Sequence, residues 1–402
     1  MIIRLRHPIL FALVFAPFAL AAEPAVAGPG PAVRPSAPGA IAPPAADRAR
    51  FERLCNRVAA AWDSARGGFV DRAGVPCESA VELGLTLVRD AAHGEWKARS
   101  LATIGWTRAL LDTVSGGFVT RQPRSTAEGA AFETRTDVNA RRLSALVAAW
   151  QVTGDNRYRR DAERVAGFMD RVLLDGRGGF VAAQVGDRGL EPAANGIAIH
   201  AWLAWGAASG DRNVRDFALR SIERVWAISY DPLGVLLRRG DFGEILAHPR
   251  LEDQVEMGRA LVLAWHLCGR PPDLERARAL GRVVLEKFED HARGGFMTQA
   301  RPKKDGTIRR AGRVAAENAR AARFLAELST ATGDREFDEA GRRAWGVFAE
   351  QQEKAGLEAA DWALAFRASL VPETPAAPAW QTAAGESPPT PRVIFRSRGR
   401  RR

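Results

Sequence analysis

The stretch NGIAIHAWLAWGAASGDRNVRDFALRSIERVW, residues 195–226, contains two helices of different kinds. In its first half Ile197, Ile199, Trp202, Leu203 and Trp205 leave almost no polar face, which predicts a helix buried on every side. In its second half Phe217, Ile222, Val225 and Trp226 fall on one stripe, with Arg215, Asp216, Arg220, Glu223 and Arg224 elsewhere, the pattern of a surface helix. Between them stands Ser209-Gly210-Asp211. A glycine after an apolar run reads as a helix C-cap and a following Asp as the next N-cap, so the pair marks the turn of an α-hairpin.

The same unit recurs. Thr153-Gly154-Asp155 and Thr332-Gly333-Asp334 repeat the turn, and Cys268-Gly269 with Asp273 is a looser copy. A second marker, Gly-Gly-Phe, occurs at 67–69, 116–118, 178–180 and 294–296, with Gly234-Val235 where a further copy is due, a period of roughly 55 residues. The contrast of buried and half-exposed helices returns in 134–153 against 155–174 and in 310–331 against 334–351. Helices alternating in this way imply two concentric layers. From Asp47 to Leu370 the pattern counts twelve, six inner and six outer, predicting an all-α (α/α)6 toroid with the Gly-Gly-Phe loops leading into the inner helices at one mouth. An open α-solenoid would instead show amphipathic helices throughout and polar capping repeats, which are absent.

Several motifs along this repeat resemble those of the six-hairpin glycosidase-like barrel in the thioredoxin-domain-containing, spermatogenesis-associated family. Phe132-Glu133 followed by Asn139-Ala140 is similar to that family's Phe-Glu-Lys-Met-Leu-Tyr-Asp-Asn-Ala, and Asn195-Gly196 to its Asp-Trp-Asn-Gly. Leu251-Glu252-Asp253 resembles Leu-Glu-Asp-Tyr-Ala. Arg301-Pro302-Lys303 and Ala315-Ala316-Glu317-Asn318 resemble Arg-Pro-Lys and Ala-Ala-Glu-Asn. The chain departs from the family at Thr134-Arg135, where Lys-Met is usual, and at Arg310-Ala311-Gly312-Arg313, where Pro-Ser-Gly-Asn is usual. The thioredoxin domain that normally precedes the barrel is not expected here. The resemblance implies the fold and, more distantly, saccharide chemistry.

Polar residues gather at the starts of the inner helices: Glu78 and Glu82; Glu133, Asp137 and Asn139; Asn195 and His200; Glu252, Asp253 and Glu256; Glu317 and Asn318; Glu358 and Asp361. In a closed toroid all would project into one funnel. Glycoside hydrolysis needs two carboxyl groups across the scissile bond. Glu133 and Glu317, on roughly opposite walls, are the expected catalytic acids, with Asp253 assisting. Asn139, Asn195 and Asn318 would orient substrate hydroxyls, with His200 and Arg313 as further contacts, Arg313 also serving as a charge partner for Glu317. The competing reading gives Asp137, Glu252, Asp253, Glu358 and Asp361 to the first helical turn, where acids complement exposed N–H groups. His200 has a competing reading as a hydrogen-bonded core residue. The sugar 2-epimerases of this fold use inward-facing His as proton shuttles, which keeps His200 and His248 in view.

Two function classes follow. One is a carbohydrate-active enzyme, glycosidase-like or sugar-isomerising; the other is a glycan- or protein-binding toroid without activity. No HxH, HExxH or calcium-loop pattern occurs, so no metal and no other cofactor is expected. The loop 301–313 carries Arg301, Lys303, Lys304, Arg309, Arg310 and Arg313 against Asp305 alone, and is either simply solvated or a basic rim for an anionic glycan. Trp106, Trp150, Trp202, Trp205 and Trp362 serve as core residues or as platforms for sugar faces. Cys55 and Cys77 would pair only if brought together in an oxidising compartment.

The ends and the charge complete the reading. Residues 1–22 place Arg4 and Arg6 before an apolar run from Pro8, with Ala19 and Ala21 near its close, the layout of a signal peptide, or of an anchor if uncleaved. Export to the periplasm or exterior is the expectation. Residues 23–46 are an Ala/Pro-rich linker, 47–371 the toroid and 372–402 a basic tail ending in Arg396, Arg398 and Arg400–402. Of 402 residues 46% are hydrophobic and 26% charged, too apolar for a disordered chain. The net charge of +11 suits an anionic surface or substrate, but no nucleic-acid recognition motif accompanies it, and a monomer is expected.

Overall fold

In a computed structural model the described residues are 45–90, 94–119, 134–184, 189–239, 244–245, 247–300 and 312–371. The segments read as signal peptide and basic tail, nearly all of the linker, Glu133 and residues 301–311 of the basic loop lie outside them. All described residues belong to one compact unit, and no described helix is long and apolar enough to cross a membrane.

The helices are α1 (Ala45–Ala60), α2 (Glu78–Asp90), α3 (Gly94–Thr107), α4 (Thr136–Thr153), α5 (Asn156–Phe168), α6 (Pro192–Ser209), α7 (Arg212–Ser229), α8 (Leu251–Cys268), α9 (Pro271–Val283), α10 (Ala315–Thr332), α11 (Arg335–Val347), α12 (Ala349–Lys354) and α13 (Ala359–Leu370). No β-strand is present among the described residues, only isolated antiparallel bridges in the loops. Helices α2, α4, α6, α8, α10 and α13 pack side by side in that order, and α13 returns to α2, closing the ring. Outside it, α3, α5, α7, α9 and α11 each pack on the inner helix before them in the chain, while α1 packs on α13. The (α/α)6 toroid thus stands, its sixth hairpin joining the first and last helices; the short α12 is an addition to the twelve expected.

The inner-to-outer turns follow from the Gly-Asp pairs. Gly154, Gly210 and Gly333 adopt φ near +70° at the ends of α4, α6 and α10, where a side chain would be strained. Asp155, Asp211 and Asp334 then cap α5, α7 and α11 by accepting backbone N–H bonds. At the fourth turn Gly269 ends α8 but Pro271 at the first position of α9 replaces the Asp cap.

The outer-to-inner loops carry the Gly-Gly-Phe marker for a structural reason. Each is a small hairpin opened by an aspartate, at 63, 112, 175, 231 or 290, whose carboxylate accepts N–H groups two or three residues on. Phe69, Phe118, Phe180 and Phe296, with Leu236 in the fifth copy, then enter the core. In four of the five an amide from the next inner helix grips that residue's backbone, whereas the Phe69 N–H donates to the Thr103 hydroxyl of α3. Asn139 Oδ1 accepts the Phe118 N–H at 2.7 Å and its Nδ2 donates to the Phe118 carbonyl at 3.0 Å. Asn195 does the same for Phe180, Gln254 for Leu236 and Asn318 for Phe296.

Inner helices approach most closely where glycine faces backbone. A Cβ on Gly196 of α6 would lie 2.4 Å from the Glu256 carbonyl carbon of α8. Gly196→Ala must therefore push two helices apart, and we expect a loss of about 3 kcal/mol in urea unfolding, at the upper end for one added methyl group. A loss under about 0.5 kcal/mol would mean that α6 and α8 separate freely.

Candidate functional site

The inner helices enclose an axial cavity of about 350 Å³, within the ~300–1,000 Å³ range of small-molecule sites. Its described lining runs from Glu78, the first residue of α2, to Arg89, and on the other helices from the second turn or later to the last. It therefore lies toward the ends where the inner helices finish, deeper than the mouth where the sequence pattern placed the site.

A chain of ion pairs crosses this cavity. Arg323 of α10 donates from Nη2 to Glu82 of α2 at 2.6 Å and from Nε to Glu327 at 2.9 Å. Arg259 of α8 donates from Nε to the other Glu327 oxygen at 3.0 Å and lies 3.7 Å from Glu256. Arg141 of α4 donates to Glu256 at 3.4 Å, with Arg320 3.9 Å away. The spacing that places Arg323 and Glu327 one turn apart also places Glu256 and Arg259 on one face, so helix geometry builds half of the network and ring closure supplies the rest.

Burial opposes the charge on Glu82, Glu256 and Glu327, but the guanidinium groups more than offset it and hold all three below the usual glutamate range. His200 of α6 faces the network. Burial, then the positive charge of Arg259, pushes its pKa down to about 4, so the imidazole is neutral at physiological pH. Neither of its ring nitrogens has a hydrogen-bond partner among the described residues, which argues against the core reading. The cavity thus offers fixed carboxylate acceptors, guanidinium donors and one neutral imidazole, a set matched to vicinal hydroxyls and able to accept a proton. Among the described residues no group of His, Cys, Asp or Glu is arranged to hold a metal ion.

The residues singled out in the sequence divide. His200 stands on the cavity wall, together with Glu78, Glu82 and Glu256. Asn139, Asn195 and Asn318 are corrected from substrate contacts to loop anchors. All three are fully buried, and each amide is spent on a hairpin residue and on a backbone carbonyl at the start of its own helix. Arg313 is likewise a loop residue, since Nη1 donates to the carbonyls of Arg293 and Gly294 and not to Glu317.

Asp253, 1% exposed, accepts the Ala193 N–H at the start of α6 and lies under Arg238, away from the described cavity wall. Glu317 sits in the first turn of α10, also off that wall. Burial and the neighbouring Glu252 raise its pKa. His248 is exposed in the loop before α8. Trp202, Trp205 and Trp362 are buried in the core. Cys55 and Cys77 are free thiols, Cys77 donating to the Leu357 carbonyl. Arg141, Arg259, Arg323 and Glu327 carry no signal in the sequence, where they read as ordinary mid-helix charges.

With this geometry in view, the toroid has known counterparts. No protein-family profile matches the chain, and no curated protein matches it. Solved structures do. A sugar epimerase from a ruminal bacterium superposes with a TM-score of 0.62 at 16% identity, over 75% of this chain and 86% of that one. A D-mannose isomerase gives 0.63 at 16% identity, over 77% and 88%. A glycoside hydrolase family 76 α-mannanase from Bacteroides thetaiotaomicron gives 0.63 at 12% identity, over 80% and 95%. The shared property is the fold. All are six-hairpin toroids.

The acids outside the cavity set a pH dependence. Burial pushes both Asp253 and Asp273 up to about 6 from an unfolded value of 3.8. Between those values the folded chain holds protons that the unfolded chain has released, so these two groups make stability fall as pH rises from about 4 to 6. We expect Asp253→Asn to flatten that slope in melting curves taken across the same range. An unchanged slope would show that Asp253 titrates at its ordinary value.

Proposed function

We propose that this chain is an exported carbohydrate-active protein that takes a small saccharide into the axial cavity and isomerises it by proton transfer. The observation that carries the reading is the neutral His200 facing a charge-paired array of Arg259, Arg323, Glu82 and Glu327. An imidazole without hydrogen-bond partners can take the proton from the carbon beside a sugar carbonyl, and the guanidinium groups can stabilise the negative oxygen that results. Toroids of the same fold are sugar epimerases and a D-mannose isomerase, which supports the class of ligand. Export rests on residues 1–22, and the basic segments 301–313 and 396–402 would hold the protein near anionic envelope polymers.

Glycoside hydrolysis is the second reading. It is favoured by the likeness to α-1,6-mannanases, one of them an inactive variant, altered at two aspartates adjacent in its chain, in complex with α-1,6-mannotriose. The adjacent acids Glu252-Asp253 offer no such pair here, because Arg238 engages both.

Incubation with D-mannose, D-glucose and cellobiose in D₂O, followed by proton NMR, separates the readings. Isomerisation replaces the C2 proton by deuterium and yields the epimer or ketose, and His200→Asn should slow this at least ~100-fold. Cleavage of α-1,6-mannotriose without C2 exchange would favour hydrolysis. A sugar that raises the melting temperature but is never transformed would leave the binding toroid. No exchange, no cleavage and no thermal shift would defeat all three.

A further inference from the structure

The repeat is broken at one buried position. Three residues beyond the clamping amide, α6 carries Ala198, α8 Met257 and α10 Ala321, all fully buried. At the same register α4 carries Arg142, only 5% exposed. Its guanidinium lies 5.7 Å from the ring centroid of Phe118, the residue that Asn139 grips. Its Nη1 is 2.6 Å from Oε1 of Glu78. Glu78 lines the axial cavity, and its Oε2 is buried without a hydrogen-bond partner. The carboxyl group is therefore not capping the first turn of α2, the use that its place in the sequence suggests.

Stability does not account for this pair. A buried ion pair is commonly matched or exceeded by apolar residues of similar volume, and the repeat uses apolar residues at three equivalent places. Departures from an otherwise consistent pattern concentrate where a protein works. We propose that Glu78 is a catalytic residue, the carboxyl group that exchanges a proton with the saccharide in the axial cavity, and that Arg142, braced on Phe118, is its positioning residue.

This assignment rests on the isomerase reading above. In it His200 takes the proton from the carbon beside the carbonyl, and the C–H electron pair forms the new carbon–carbon double bond. The carbonyl π pair moves to oxygen, which receives the proton of Glu78, giving an enediol. Reversal from the other carbon or the other face returns both protons, and no further reactant is consumed. The charged groups that act on Glu78 are Arg142 and Arg141 of α4, with Glu82 one turn further along its own helix; Asp361 and Glu358, at the start of α13, act with Glu78 on the neighbouring Cys77. Burial raises the Glu78 pKa against the pull of Arg142 and Arg141, whereas Glu82, Glu256 and Glu327 are lowered. Among the described cavity carboxyls Glu78 is the one suited to carry a proton.

The test is the rate and pH profile of C2 deuterium exchange on D-mannose by the full chain. Glu78→Gln should lose at least ~100-fold in rate; its melting temperature should also fall, because the amide no longer neutralises the buried Arg142, so the rate is read well below the variant's own midpoint. Arg142→Lys should retain part of the rate. Arg142→Met, the apolar solution of the repeat, should move the alkaline limb to higher pH, because Glu78 then loses a positive neighbour. Exchange by Glu78→Gln within threefold of wild type, or an unmoved limb in Arg142→Met, overturns the assignment. If the wild type exchanges no sugar, the isomerase reading fails. The Glu78 assignment is then decided by carbon-13 NMR titration of the carboxyl groups, with Glu78→Gln giving the resonance. A midpoint above 4.5 that Arg142→Met raises further supports it, and a midpoint at or below 4.5 overturns it.

Discussion

Arg323→Met is expected to cost about 3 kcal/mol of folding stability at pH 7, the low end for stripping one partner from a buried ion pair, because the Glu82 side chain is 45% exposed and solvent screens part of its charge. Glu82 accepts its one hydrogen bond among the described residues from Arg323, while Glu327 keeps Arg259. Burial is already the largest single influence on Glu82, and without Arg323 only Arg259 and His200 oppose it, so its depressed pKa is expected to turn into a raised one. The sign of the pH dependence turns with it. In the wild type the group contributes stability above its unfolded value of 4.5 that is lost as pH falls through its folded value. In the variant that contribution is reversed, and stability is lost as pH rises. Urea unfolding at pH 5 and pH 7 should therefore show a larger deficit at pH 7. Adding Glu82→Gln should recover most of it, since the orphaned charge has gone. A deficit under about 1 kcal/mol, the worth of a solvated surface pair, would mean that water screens the network throughout the cavity. The same substitution removes one of the two cations that hold His200 neutral, so the histidine should titrate closer to 6.5.

The toroid was legible because its cause is local. One apolar helix followed by one striped helix can be read in several copies, three of them joined by Gly-Asp, and six such hairpins make two layers. What the sequence does not display is the pairing of α1 with α13, which depends on ring closure. The site was less legible for a related reason. Arg323 and Glu327, or Glu256 and Arg259, have the spacing of exposed helix pairs, and only a closed ring turns that face inward.

The asparagines misled in the other direction. A polar residue near the start of an inner helix looks like a group aimed into the funnel. A signal was nevertheless present: Asn139, Asn195, Gln254 and Asn318 all stand four residues past the N-cap, in register with the Gly-Gly-Phe copies. A ligand contact has no reason to recur at one register in four repeats, whereas a loop anchor does.

That employment makes Asn195→Leu the second large effect. Leucine keeps the branched heavy-atom skeleton of asparagine, though with bulkier methyl groups, and suits an apolar helix, so a substrate-binding role would predict a folded protein with impaired binding. As an anchor, Asn195 satisfies the Phe180 N–H and carbonyl at 2.8 Å each, inside a core that water does not reach. Two orphaned buried groups at roughly 2 kcal/mol apiece give an expected loss of about 4 kcal/mol. Hydrogen exchange at Phe180 should accelerate more than at α6 itself, because the hairpin opens before the helix does. Asn195→Asp sharpens the case. Its carboxylate could still accept the Phe180 N–H but would oppose the carbonyls of Phe180 and Glu191, which now receive the amide's donors. Protonation restores one donor, so the folded pKa must lie above the unfolded one, and this variant should regain stability as pH falls. Wild-type stability in Asn195→Leu, or a pH-independent deficit in Asn195→Asp, would return the residue to the funnel.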